Sequence, residues 1–218
     1  MNIIKNLVRG NELFKKYQYV DYEDEINDLI KYGQKPEVLF ISCCDSRITP
    51  DLMLGSKPGD LFVLRNIGNF VPPFNDDASF HGTASAIEYA VSVLNVKHII
   101  VCGHSHCGAC KSLFEEIPNT KNFINVKKWL KLGLKAKEIT LKKSYANNDE
   151  KERAMEKNSV LCQVENLHTY PAIKERLENK SIKLHSWYIH LEGAKIEYYD
   201  QDKKGFRDII NYEDFSSN

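Results

Sequence analysis

Three short apolar runs constrain the fold of this 218-residue chain more than anything else in it. Val38-Leu39-Phe40-Ile41-Ser42-Cys43 follows Pro36, and Leu61-Phe62-Val63-Leu64 follows the turn Lys57-Pro58-Gly59-Asp60. The third, His98-Ile99-Ile100-Val101-Cys102, follows a stretch with helical spacing at Ala86, Ala90, Val93 and Leu94. Apolar runs of this length, without polar alternation, read as strands covered on both faces. Strand, connection, strand, helix, strand is the order of a parallel sheet. The expected fold is one α/β domain over 1–218, its mostly parallel central sheet flanked by helices.

Residues 1–33 carry apolar positions at helical spacing (Ile3, Ile4, Leu7, then Ile26, Leu29, Ile30), interrupted over 17–22. That pattern predicts an N-terminal helical arm of two helices. Residues 34–114 hold the three runs, and 115–218 are expected to supply helices and a closing C-terminal hairpin. Within that last part, 133–158 is lysine-rich and reads as helical and solvent-facing, with a loop near Asn147-Asn148-Asp149. Helical spacing resumes over 159–179, broken at Pro171, and 182–199 alternates around Glu192-Gly193 as a hairpin does.

Lys+Arg and Asp+Glu number 30 each, so the formal charge of zero offers no basic face for nucleic acid. No apolar run approaches the ~18 residues of a membrane span. The opening MNIIKNLVRGNELFKK lacks the unbroken apolar stretch of a secretory signal. A cytoplasmic protein with no nucleic-acid or membrane partner is expected. In a reducing compartment six cysteines are not a disulfide framework; those beside His and Asp point to metal or thiol chemistry. Cys44, Cys102 and Cys162 read as small packing residues.

The unusual residues fall in two segments. Cys43-Cys44-Asp45-Ser46-Arg47 ends the first strand, and Gly103-His104-Ser105-His106-Cys107-Gly108 ends the third. Strand alternation puts Cys43 and Asp45 on one side, and Cys44 on the other. If a helix starts after the third strand, His104 and Cys107 fall one turn apart. Open α/β sheets place their sites at the carboxyl ends of the strands, so the two segments can meet. Two thiolates, an imidazole and a carboxylate suit tetrahedral zinc, although the order Cys-x-Asp…His-x-x-Cys is not that of a finger or ribbon. Other readings stay open. Cys107-Gly108-Ala109-Cys110 has the form of a C-x-x-C redox pair. His106 and Cys110 form an alternative metal pair, and Asp45 beside Arg47 has the form of an ordinary surface ion pair.

At these residues the chain resembles the β-class carbonic anhydrases. The matching segments are QKPEVLFISCCDSRITP, KPGDLFVLRNIGNFVPP and GTASAIEYAVSVLNVKHIIVCGHSHCGAC, within 34–114. Cys-x-Asp-x-Arg and His-x-x-Cys are separated by Arg65-Asn66-Ile67-Gly68-Asn69 and Glu88-Tyr89-Ala90-Val91. The resemblance is looser in the C-terminal hairpin and hardly extends to the lysine-rich stretch. It implies one Zn2+ per subunit on Cys43, His104 and Cys107, with Asp45 as fourth ligand or as acceptor from a zinc-held water, and Arg47 as partner of Asp45. Gln34, Phe62, Ile67, Tyr89 and Gly108 match positions that line a narrow substrate cleft, and 34–114 becomes the zinc-site core. The activity implied is reversible hydration of CO2 to bicarbonate and a proton. The assembly implied is a homodimer or homotetramer, with N-terminal helices embracing a neighbour and cleft residues drawn from both subunits. Phe40 and Ser42 stand where one subgroup carries the tryptophan and glycine of an inhibitory bicarbonate pocket, so that regulation is not expected. A related zinc hydrolase acting on carbon disulfide or carbonyl sulfide is the alternative, and a purely structural zinc is a third reading.

Overall fold

The computed structural model describes residues 2–77 and 79–211. The chain opens with α1 (Ile3–Tyr17) and α2 (Glu23–Tyr32), then β1 (Val38–Cys43), α3 (Pro50–Leu54) and β2 (Leu61–Asn66). Next come α4 (Gly82–Glu88), continued by a π-helical turn at Tyr89–Val93, then β3 (His98–His104) and α5 (Gly108–Ser112). Helices α6 (Ile124–Leu130), α7 (Leu134–Leu141), α8 (Asn148–Leu167) and α9 (Pro171–Glu178) precede β4 (Lys183–Ile189), β5 (Ile196–Asp200) and β6 (Gly205–Asp208).

The six strands form one sheet in the order β2-β1-β3-β4-β5-β6. β1 pairs in parallel with β2 and β3, and β3 with β4; the pairs β4–β5 and β5–β6 are antiparallel. The mostly parallel sheet flanked by helices is as the apolar runs require. Leu39, Ile41, Ile99 and Val101 pack on one face against Ile87, Val91, Val160 and Tyr170. Phe40, Ile100 and Cys102 pack on the other against Met53, Leu54 and Trp187. Both faces of β1 and β3 are covered, which is why these strands show no polar alternation.

Three expectations need correction. First, the expected hairpin is present as the antiparallel β4–β5 pair, but it is not a separate closing element: β4 also joins β3 as a fourth parallel strand, and β6 extends the antiparallel edge. Second, the loop in the lysine-rich stretch covers 142–147, one turn earlier than expected, and α8 then runs unbroken from Asn148. Asn147 caps it, its side-chain oxygen accepting from the Glu150 N–H at 2.9 Å. Third, 133–158 does not simply face solvent. Ala136, Thr140, Met155 and Glu156 are buried because α7 packs on α8, with the Thr140 hydroxyl 3.7 Å from the Met155 sulfur.

The arm behaves differently from the rest. Neither α1 nor α2 contains a buried residue, and Ile3, Ile4, Leu7, Val8 and Phe14 are exposed. The amphipathic pattern that predicted these helices is therefore not explained by packing on their own domain.

Candidate metal centre

β1 ends at Cys43, and the chain turns at once. The Asp45 carboxylate accepts from the Arg47 backbone N–H at 3.0 Å, and a second bond, from the Ile48 N–H to the Asp45 carbonyl at 2.9 Å, closes the turn. The Arg47 guanidinium grips both carboxylate oxygens, Nε to Oδ1 at 2.9 Å and Nη2 to Oδ2 at 2.7 Å. Nη2 also donates to the His106 carbonyl at 3.0 Å, tying the two site segments together. From β2, Arg65 donates to the carbonyls of Cys43 (2.9 Å) and Asp45 (2.8 Å), which fixes the backbone of this turn.

The second segment begins at His104, the last residue of β3. The chain reverses through a left-handed residue, His106 (φ 57°), and Cys107 caps α5 with extended ψ. His104 and Cys107 are therefore joined by a tight turn and not by a helical turn as expected. The His104 Nδ1–H donates to the Ser105 carbonyl at 2.9 Å, since a carbonyl can only accept. Nε2 is thereby left as the nitrogen with a lone pair, buried and with no hydrogen-bond partner among the described residues.

One ligand atom from each of Cys43, His104 and Cys107 lies within 4.8 Å of the others, and all three residues are buried. Ligands around a tetrahedral zinc, at ~2.0–2.3 Å from the ion, sit about 3.5–3.8 Å apart, so the spacing accommodates one ion. The hydrogen bond to the Cys107 thiol, then burial, pushes the Cys43 thiol up to about 12. Cys107 is raised further, by its hydrogen bond to the Cys110 thiol and by burial. A buried imidazole lone pair facing two thiols is a donor set without a cation, and S/N donors suit a borderline-soft ion such as zinc. Asp45 lies outside this cluster, held far below the ordinary carboxylate range by Arg47.

The centre is supported from α8. Gly103 on β3 has no side chain, and a Cβ there would lie 2.5 Å from Val160, so α8 closes directly onto the strand. That approach brings Glu156 against the metal loop, where its carboxylate accepts from the Cys107 N–H at 2.9 Å. The same carboxylate takes Arg153 Nε at 2.7 Å, Arg153 Nη2 at 2.8 Å and the Tyr188 hydroxyl at 2.6 Å. Burial raises the pKa of Glu156 even with these partners. Sequence reasoning missed Glu156, Arg65 and Tyr188. For Glu156 the available signal was the Arg153–Glu156 pair at i, i+3, hidden within a stretch taken for a solvated face.

The cleft residues divide into two groups. Gly68 (φ 76°) donates its N–H to the Cys43 sulfur at 3.4 Å, and a Cβ there would lie 2.8 Å from that of Ala109. Its neighbour Ile67 is exposed at this end, its carbonyl held by the Trp129 indole N–H at 2.7 Å. Gly108, also exposed, follows Cys107 directly. Phe62, by contrast, pairs with Leu39, four residues before Cys43 and so about 13 Å away along the strand. The Tyr89 ring lies 5.9 Å from that of Phe62, and Gln34 precedes β1 altogether. These three residues lie toward the amino end of the sheet, away from the metal ligands of their own chain. Cys102 and Cys162 are buried as expected, but Cys44 is exposed. It borders a cavity of about 700 Å³ with Ile67, Phe80 and Trp129, because β1 ends at Cys43 and the core does not extend over the turn.

The family model for carbonic anhydrase matches residues 38–196. A carbonic anhydrase of Synechococcus elongatus is 37% identical over 195 residues, 88% of this chain and 70% of that protein. The solved β-carbonic anhydrase CcaA superposes with a TM-score of 0.86 at 35% identity, covering 94% of this chain and 91% of the other. The chain belongs to the β-class carbonic anhydrases. A Helicobacter pylori carbonic anhydrase is 33% identical over 201 residues, 90% of each chain. A tetrameric β-carbonic anhydrase of Sordaria macrospora has a TM-score of 0.80 at 28% identity, over 91% of this chain and 97% of that one. β-Class carbonic anhydrases are zinc enzymes, and here the Cys-His-Cys donor set fits that ion.

Proposed function

We propose that this chain hydrates CO2 reversibly to bicarbonate and a proton, using one zinc ion per subunit on Cys43, His104 and Cys107. The convergence of these three buried groups, with the His104 Nε2 lone pair unused, is the observation that carries the assignment. Bound there, zinc lowers the pKa of a water and so supplies hydroxide near neutral pH. Asp45, held on both oxygens by Arg47, stays ionised and would accept a hydrogen bond from that water; it would turn toward the metal only when Arg47 lets go. Arg47 is thus the gate on a fourth ligand position. Ile67 and Gly108, both exposed beside the metal ligands, would border the approach of a small uncharged substrate.

Gln34, Phe62 and Tyr89 complete the cleft of a second copy. Their distance from their own metal ligands and the uncovered apolar face of α1 support a homodimer, or a tetramer of such dimers. We assign the whole of 1–218 to one domain, with 34–114 as its zinc-site core, and the cytoplasm as its compartment. Among the described residues, no helix is long and apolar enough to cross a membrane.

Stopped-flow assay of the zinc-loaded protein with CO2, and in parallel with carbon disulfide and carbonyl sulfide, tests the substrate. Hydration of CO2 is expected to dominate. Turnover of the sulfur compounds with no CO2 activity would overturn the assignment in favour of the related hydrolase.

A further inference from the structure

Cys110 has no part in the reaction, yet it is buried beside the metal loop. Its thiol neighbours that of Cys107, whose sulfur lies within 4.8 Å of the Cys43 sulfur. All three cysteines belong to one buried cluster with Phe70, Ala109 and Met155. Cys107 is the N-cap of α5 and Cys110 lies in its first turn, so the backbone already holds the two sulfurs together. Gly108, between them, is exposed, so the backbone joining the two cysteines reaches the surface although both side chains are buried.

We propose that Cys110 is the resolving thiol for Cys107: oxidation of the zinc ligand by a hydroperoxide yields a Cys107–Cys110 disulfide that releases the metal reversibly. This rests on the assignment of Cys107 as a ligand. In the first step the Cys107 thiolate displaces hydroxide from hydrogen peroxide, forming a sulfenic acid, with sulfur oxidised and peroxide reduced. In the second, the Cys110 thiol attacks that sulfur, the S–S bond forms, and the hydroxyl leaves as water. With Cys107 no longer a thiolate, zinc keeps only Cys43 and His104 and dissociates. A dithiol reductant restores both thiols and the site refills. Without Cys110 the sulfenic acid persists and is carried on to the sulfinic acid, which a thiol cannot reverse.

The test exposes zinc-loaded protein to hydrogen peroxide. Released zinc is read with a chromophoric chelator and the cysteines by mass spectrometry after alkylation. Trypsin cleaves after Lys97 and Lys111, so the expected disulfide lies within one peptide, whereas Cys43 falls in another. Wild type should lose its zinc while that peptide takes up two fewer alkyl groups and is otherwise roughly 2 Da lighter than its thiol form, then regain full zinc after dithiothreitol. Cys110→Ser and Cys110→Ala should start with the same zinc content, end with Cys107 unalkylated and roughly 32 Da heavier than its free thiol, and fail to regain the metal. A disulfide joining Cys43 to Cys107, or equal recovery by the Cys110 variants, would overturn the proposal. Absence of zinc from untreated wild type would instead refute the ligand assignment.

Discussion

At the carboxyl end of β1 and β3, each metal-site group is fixed by a bond within the same chain: Arg65 of β2 donates to the Cys43 carbonyl, the adjoining Ser105 carbonyl accepts from the His104 ring, and Glu156 of α8 accepts from the Cys107 amide. Toward the amino end, Tyr89 is 45% exposed, Gln34 is exposed, and the adjoining arm has no buried residue. One end of the sheet is finished by intramolecular packing and the other is not. A metal site must be rigid before the ion arrives, because ligands held in place avoid the cost of ordering them on binding. A surface meant for another subunit has no such need within the monomer.

The largest effect should come from the finished end. Cys43→Ser, His104→Ala and Cys107→Ser should each abolish stoichiometric zinc, measured by metal analysis, and hydration should fall to the buffer rate. Removing residues 1–33 should act on the other end alone. The truncated chain should keep its zinc, sediment as a smaller species, and lose activity by about 100-fold through a misplaced cleft. Unchanged turnover in a chain shown to be monomeric would contradict the division.

A finer test separates ligand from support. Glu156→Gln should keep the fold but weaken zinc about 10- to 100-fold in a competition titration, as loss of a supporting partner usually does. An unchanged affinity would mean that the Cys107 loop holds itself. The affinity for zinc should also depend on pH. Cys43 is raised from 9.0 to about 12 in the metal-free protein and Cys107 is raised as well, so both carry protons near neutrality. Zinc must displace them, so the logarithm of its affinity should climb by up to about two per pH unit between pH 6 and 8. The sign follows from the direction of the shifts: raised pKa values favour the metal-free form as pH falls. A flat profile would mean the thiols are already ionised before the metal binds.

Much of this was legible in the sequence. The apolar runs of β1 and β3 dictate a covered parallel sheet, and Cys43, His104 and Cys107 stand at strand ends, where such sheets place sites. What escaped has physical causes. Glu156 lies in a lysine-rich stretch, and its burial depends on Gly103 letting α8 approach β3, a contact between residues far apart in sequence. The turn at His106 needed a left-handed conformation that a His-Cys spacing does not announce. The separation of Phe62 and Tyr89 from the ligands follows from strand register, which no local pattern fixes. Cys44 lies just beyond the end of β1 and is exposed, so the packing expected of it has no core to supply it.

Subunit complementation tests the contrast between the two ends most directly. Cys43→Ser keeps the amino end intact and lacks the metal; Tyr89→Ala keeps the metal and damages the amino end. Each should be nearly inactive alone. Co-assembled, they should form a mixed dimer in which the zinc of one chain faces the intact Gln34, Phe62 and Tyr89 of the other, and hydration should rise well above the sum of the separate proteins. A mixture no more active than that sum, with mixed dimers verified by mass, would show that each chain completes its own cleft.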